Sequence, residues 1–221
     1  TVCSITMDEN RDDKKARIVL SLLTVLFSAT ALSLAYVGTL DCHYVSFTST
    51  HEEYEVKAGI WSYLNYTYEN GDSVISESCQ TYPTDVDIDA TWKAARAFSV
   101  LAVIFGSILF LFSLVVVYQT VTERRFSTGG CDTISLFLTG IFQGLCLLFL
   151  GGNGCKNVQT GQIPDLFRDS CVISTGAKCS MASAMFWSLA SLMNMQLDIE
   201  RQRARVIPLT ADITSPLIFS K

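Results

Sequence analysis

The sequence predicts a mainly α membrane protein: a four-transmembrane-helix bundle with a small extracellular antiparallel β-sheet in its first outer loop. Three observations predict it. The apolar residues gather into four charge-free blocks, the bases collect at one set of block ends, and one long polar stretch separates the first two blocks. Ile18 to Gly38, Ala97 to Tyr118, Thr133 to Gly152 and Cys179 to Leu197 hold no charged residue. Each is about 20 residues, enough for a helix rising 1.5 Å per residue to cross roughly 30 Å of hydrocarbon. Four buried helices of a soluble protein would keep a polar stripe, and the second block has none.

Four crossings put both termini on one side. That side carries Arg11, Lys14, Lys15 and Arg17, then Arg124 and Arg125, then Arg201, Arg203 and Arg205. Basic residues at helix ends favour the cytoplasm, so the termini are expected inside, most readily at the plasma membrane. The layout is a cytoplasmic tail (1–17), a first span (18–38) and a first extracellular loop (39–96). A second span (97–118), an inner loop (119–132), a third span (133–152) and a second outer loop (153–178) follow. A fourth span (179–197) and a cytoplasmic tail (198–221) complete it.

Taken in order, the first tail mixes acids with bases and reads as a short mobile segment. The first block is too long for a signal peptide and should remain as an anchor. Ala31 and Ala35 give it a small-residue packing spacing. In the first loop, Tyr44 to Thr48 alternates aromatic and β-branched residues as a strand does. Tyr54 to Tyr68 is strand-like, Asn70-Gly71 is a turn, and Val74-Ile75 starts the strand returning to Cys79. A sheet of three to five strands is expected. The sequon Asn65-Tyr66-Thr67 would be glycosylated if this loop is lumenal during synthesis. Its ten acidic residues between Asp41 and Asp89 read as a hydrated face.

Asp89 to Phe98 reads as a helix start running into the second span, with Trp92 at the interfacial belt and Arg96 at the outer boundary. An arginine in that place snorkels or bonds to nearby carbonyls. In the inner loop, Ser127-Thr128-Gly129-Gly130 makes a turn. On the third span, Gly140 and Gly144 form a Gly-x-x-x-Gly packing face, with Gln143 beside it to bond another helix. The fourth span is diluted by Ser180, Ser183, Ser188, Ser191, Asn194 and Gln196, as a helix packed among neighbours can be. Beyond it, Asp198 to Arg205 extends the helix inward until Pro208 and Pro216 break regular structure.

The cysteines lean outward, as in an oxidising compartment. Cys42 and Cys79 are the only pair in the first loop, and a bridge between them would stabilise it by about 4 kcal/mol. Of Cys155, Cys171 and Cys179, the pair Cys155–Cys171 is preferred because it would cinch the hairpin between spans three and four. No Cys-x-x-Cys is present, so redox catalysis is not expected. His43 and His51 are the only histidines and are unsuited to a metal pair. Neither an enzyme nor a cofactor is expected, and nothing points to nucleic acid. The expected partners are membrane lipids and a protein or second copy met through the first outer loop and the bundle faces.

Gly59-Ile60-Trp61, Cys79 and Ala94-Ala95-Arg96-Ala97 together resemble the claudin superfamily, which includes peripheral myelin proteins and calcium-channel gamma subunits. Its pattern is four spans with inside termini, a Gly-Leu-Trp motif, two cysteines in the first outer loop and an arginine where span two begins. The family's first cysteine follows the motif tryptophan by a few residues. Here Ser62, Tyr63 and Leu64 hold that ground and Cys42 stands earlier, as in a divergent relative whose bridge ties different strands. The resemblance implies a non-enzymatic adhesion or membrane-organising scaffold, with an accessory subunit of a channel or other membrane complex as the alternative.

Overall fold

The computed structural model describes residues 11–48, 55–69, 73–84, 86, 88–122, 131–152, 155 and 171–213. Among them are four long helices: α1 (Arg11–Leu40), α2 (Ala90–Thr122), α3 (Cys131–Leu145, continued by a 3-10 turn over Cys146–Gly151) and α4 (Thr175–Ile213). Three carry segments long and apolar enough to cross a membrane, namely Lys14–Leu40, Ala90–Thr122 and Asp132–Gly151, and so fit an integral membrane protein. Their outer faces fit the same setting. Ile104, Phe105, Ile108, Leu111, Phe112 and Val115 of α2 all stand exposed, an apolar surface too continuous for water.

The bundle packs through small residues. On α2 the buried positions are Trp92, Ala95, Ser99, Ala102, Gly106, Leu109, Ser113 and Val116, alternately three and four residues apart. That is heptad spacing, the pattern that favours left-handed coiling of packed helices. On α1 the matching stripe is Ser21, Thr24, Ser28, Ala31 and Ala35. Two of its hydroxyls are satisfied locally, Ser21 donating to the carbonyl of Ile18 and Thr24 to that of Leu20, while among the described residues the buried Ser28 Oγ has no hydrogen-bond partner. Helices α1 and α4 run antiparallel, Phe27 meeting Phe186 at 6.0 Å while Ser183 donates to the carbonyl of Ala31 at 2.7 Å.

Trp187 of α4 is fully buried at the centre. A Cβ at Gly106 would stand 2.7 Å from its ring and one at Gly140 would stand 3.2 Å from its Cβ. Of the glycine pair on α3, Gly140 therefore makes the close approach, whereas a Cβ at Gly144 would meet nothing within 4 Å. Gln143 makes its expected interhelical bond, from Nε2 to Ser180 Oγ at 3.1 Å.

The sheet caps one end of the bundle. Strands β1 (Val45–Thr48), β2 (Glu55–Ala58), β3 (Ser62–Glu69), β4 (Ser73–Thr81) and β5 (Val172–Ile173) run antiparallel in the order β4-β3-β2-β1-β5. Strand β5 corrects the expectation of a sheet confined to the first loop. Two residues are too few for a periodic signal, yet Ile173 and Val172 pair with Val45 and Ser46 and cover the edge of β1.

Other boundaries also differ. Helix α1 begins at Arg11, inside the segment read as a mobile tail, where the sequence spacings Asp12 to Lys15 and Asp13 to Arg17 are ones that favour a helical turn. Helix α4 runs through Pro208 to Ile213 instead of breaking at it. Proline removes one rung of the ladder and bends the helix, without having to end it. The Asn70-Gly71 turn, the Ser127–Gly130 turn, Asp85, Asp87, His51 and Pro216 lie outside the described residues.

Candidate functional site: a joint between sheet and bundle

The turn linking β2 to β3 is the motif Gly59-Ile60-Trp61, closed by a bond from the Gly59 N–H to the Ser62 carbonyl of 2.7 Å. Only glycine fits at its start. A Cβ there would collide with the Asp41 carbonyl and stand 2.9 Å from the Cα of Cys42. The first loop thus crosses over its own beginning at this point. Ile60 is fully buried beneath it.

Helix α2 then grips this turn by its backbone. Asp89 caps the helix, its Oδ1 accepting from the Trp92 N–H at 2.8 Å, which fixes where the first turn begins. One turn on, Trp92 Nε1 donates to the Ile60 carbonyl at 2.9 Å, and Arg96 Nε donates to the same oxygen at 2.9 Å. The spacing of four residues puts both donors on one helix face. Tyr82 contributes a third bond, from its hydroxyl to the Gly59 carbonyl at 2.8 Å.

Arg96 is enclosed by rings. Its guanidinium carbon lies 4.9 Å from the Trp61 ring, 5.2 Å from Trp92 and 5.7 Å from Tyr82. Such cation–π contacts strengthen where water is excluded. Trp61 in turn reaches Ser99 Oγ with its Nε1 at 3.4 Å and remains 37% exposed, so its outer edge faces the surroundings. Behind it, Tyr82, Trp92, Phe149 and Tyr44 form a chain of edge-to-face rings with centroids 4.8, 5.2 and 5.5 Å apart. Burial pushes the Tyr82 phenol far above its usual range, outweighing the neighbouring Arg96 charge that lowers it. The Tyr44 phenol is raised for the same first reason.

Cys42 and Cys79 are bonded, with their Cα atoms 5.9 Å apart, and so are Cys155 and Cys171, at 5.5 Å. Cys146 and Cys179 are free thiols. Cys42 is buried under the motif turn while Cys79 lies on exposed β4, so the bridge ties the start of the loop to its far strand. Asp41, Cys42 and His43 are of metal-binding types and lie close together. The Cys42 sulfur is already spent in its disulfide, however, and His43 Nδ1 pairs with Asp41 Oδ1 at 2.6 Å. That leaves a locally satisfied pair and not a ligand set. Asn65 sits half-buried within β3, opposite Ser78.

The geometry therefore brings Gly59, Ile60, Trp61 and Arg96 together and puts Cys79 on another strand. Tyr82 and Phe149 escaped the sequence reading, and Tyr44 entered it only as the start of a strand. The only signal for Tyr82 is an aromatic residue just after the cysteine and before Pro83, which periodicity does not register. Compared with known proteins, the chain matches no family model, and no curated protein matches it significantly.

Proposed function

We propose that the chain is a claudin-like protein that crosses the membrane four times, α4 making the fourth crossing, and acts as a non-enzymatic scaffold. In this reading both termini are cytoplasmic and the sheet lies outside the plasma membrane, glycosylated at Asn65, where it contacts a protein partner or another copy. The basic residues at Lys14, Lys15 and Arg17 and at Arg201 and Arg203, together at the bundle end away from the sheet, support that orientation. The serines of α4 support its crossing, since Ser180, Ser183 and Ser191 are buried against neighbouring helices instead of facing lipid.

The observation that carries the proposal is the double bond-up of the Ile60 carbonyl by Trp92 and Arg96. It fastens the sheet to a membrane helix at a fixed attitude, which is what a presented contact surface requires. Purification of the full chain in mild detergent, followed by crosslinking and identification of co-migrating proteins, tests it. Homotypic species that vanish when exposed β4 residues such as Glu77 and Gln80 are replaced support a self-associating scaffold. A stoichiometric larger membrane partner would favour the accessory-subunit reading instead. A monomer without partner in native membranes would remove both.

A further inference from the structure

Arg96 holds the Gly59–Ser62 turn with one nitrogen and keeps its other donors unengaged. Its Nε is committed to the Ile60 carbonyl, and among the described residues Nη1 and Nη2 donate to no acceptor. Neither of these two nitrogens is buried. Among the described residues no carboxylate pairs with the guanidinium, and Asp89, the acid that caps α2, accepts from the Trp92 N–H at 2.8 Å instead. What remains is the fork of Nη1 and Nη2, a planar pair of cationic donors open to the surroundings.

The place of this fork on the helix says what it meets. Val100, Ile104 and Ile108 follow Arg96 at intervals of four residues and all stand exposed, so an inclined apolar row descends from the guanidinium along α2. That row belongs to a segment long and apolar enough to cross a membrane. At its upper end the partly exposed Trp61 ring lies 4.9 Å from the guanidinium carbon. A cation at such a boundary is costly unless a counter-charge meets it, and none of the described carboxylates does so.

The planar fork matches two oxygens of a phosphate, an arrangement that gives arginine both strength and orientation. Free inorganic phosphate would use the fork and leave the row bare, whereas a phospholipid uses both. We propose that Arg96 is a binding site for the phosphate of a phospholipid in the leaflet on the side of the sheet. Nη1 and Nη2 donate to two of its oxygens while an acyl chain lies along Val100, Ile104 and Ile108. The same guanidinium thus holds the turn and the lipid, and the bound phosphate sets the depth at which the sheet rides on the membrane. This site requires that α2 be a membrane span, and it is independent of what the sheet contacts.

The test titrates the full chain, purified in a neutral detergent, with dioleoylphosphatidate, dioleoylglycerol or inorganic phosphate, and counts bound molecules by native mass spectrometry. Phosphatidate should bind at least about tenfold more tightly than dioleoylglycerol, which lacks the phosphate, or inorganic phosphate, which lacks the chains. Arg96→Gln should remove the preference for phosphatidate. Because that variant also loosens the turn, Lys93→Glu serves beside it. Lys93 is exposed one turn outward, and a carboxylate there would pair with Arg96 without entering the turn or the apolar row. Lys93→Glu should weaken phosphatidate by about tenfold and leave dioleoylglycerol unchanged. Equal binding of phosphatidate and either control overturns the proposal, as does phosphatidate binding undiminished in both variants. Carbonate washing of membranes holding the chain is scored alongside. Release by carbonate would overturn the span and the site with it, whereas retention without a preference for phosphatidate overturns the site alone.

Discussion

Trp187 occupies the space that Gly106 leaves: a Cβ at 106 would stand 2.7 Å from the indole Cζ2. The largest buried side chain of the bundle is thus seated against the absence of another one. Gly106→Ala should destabilise the protein by about 1–3 kcal/mol, the usual penalty for overpacking. Gly144→Ala, where a Cβ meets nothing within 4 Å, should leave stability unchanged or slightly raised. Thermal unfolding of both variants in the same detergent checks the contrast, and equal midpoints would contradict it.

Arg96 should not be replaceable by lysine. The guanidinium gives Nε to the Ile60 carbonyl and lies against three rings, a planar arrangement that an ammonium cannot reproduce. Arg96→Lys should cost about 1–3 kcal/mol. Hydrogen exchange is the sharper measurement, since amides of the Gly59–Ser62 turn should lose protection while those of α3 keep theirs. Unchanged protection at the turn would show that the grip does not depend on this side chain.

The Cys42–Cys79 bridge should dominate the stability of the sheet. Cys42→Ser and Cys79→Ser should each lower it by roughly 4 kcal/mol and slow migration on a non-reducing gel, since the opened loop is more extended. The double variant should match either single one, because both remove the same bond. Additive losses would mean that the two cysteines act separately.

Alkaline pH should loosen the joint. Burial holds the Tyr82 phenol protonated well above its ordinary value of 10.0, whereas the unfolded chain releases that proton near its ordinary value. Above pH 10.0 the folded state therefore binds more protons than the unfolded one, and stability falls as pH rises. Tyr82→Phe should flatten part of this slope while costing about 1 kcal/mol at neutral pH through the lost bond to Gly59. Midpoints measured from neutral pH to about 11 test it, and a slope identical in the variant would assign the effect elsewhere, with Tyr44 the next group to examine.

Several of these relationships were visible in the sequence and several were not. The apolar blocks announce themselves because lipid demands an uninterrupted run, and Asp89 before Trp92 marks a helix start because capping needs a short acceptor at that place. The Ser, Ala and Gly positions of α2 also carry a heptad, but an all-apolar background hides it from hydropathy patterns. Strand β5 is too short to have a period at all. Tyr82 and Phe149 join the joint through contacts between residues far apart in the chain, which no local spacing encodes. The Gly-x-x-x-Gly spacing on α3 named the right helix, while the close approach belongs to Gly140 and to an unpaired glycine on α2.

Because Val172 and Ile173 complete the edge of β1, the two segments outside the bundle are a single folding unit drawn from opposite halves of the polypeptide. A chimera that transplants residues 39–96 onto another helical bundle would bring a strand whose neighbour stayed behind. Exchanging 171–173 along with it restores the match, and the cap should keep its fold only when both pieces move together.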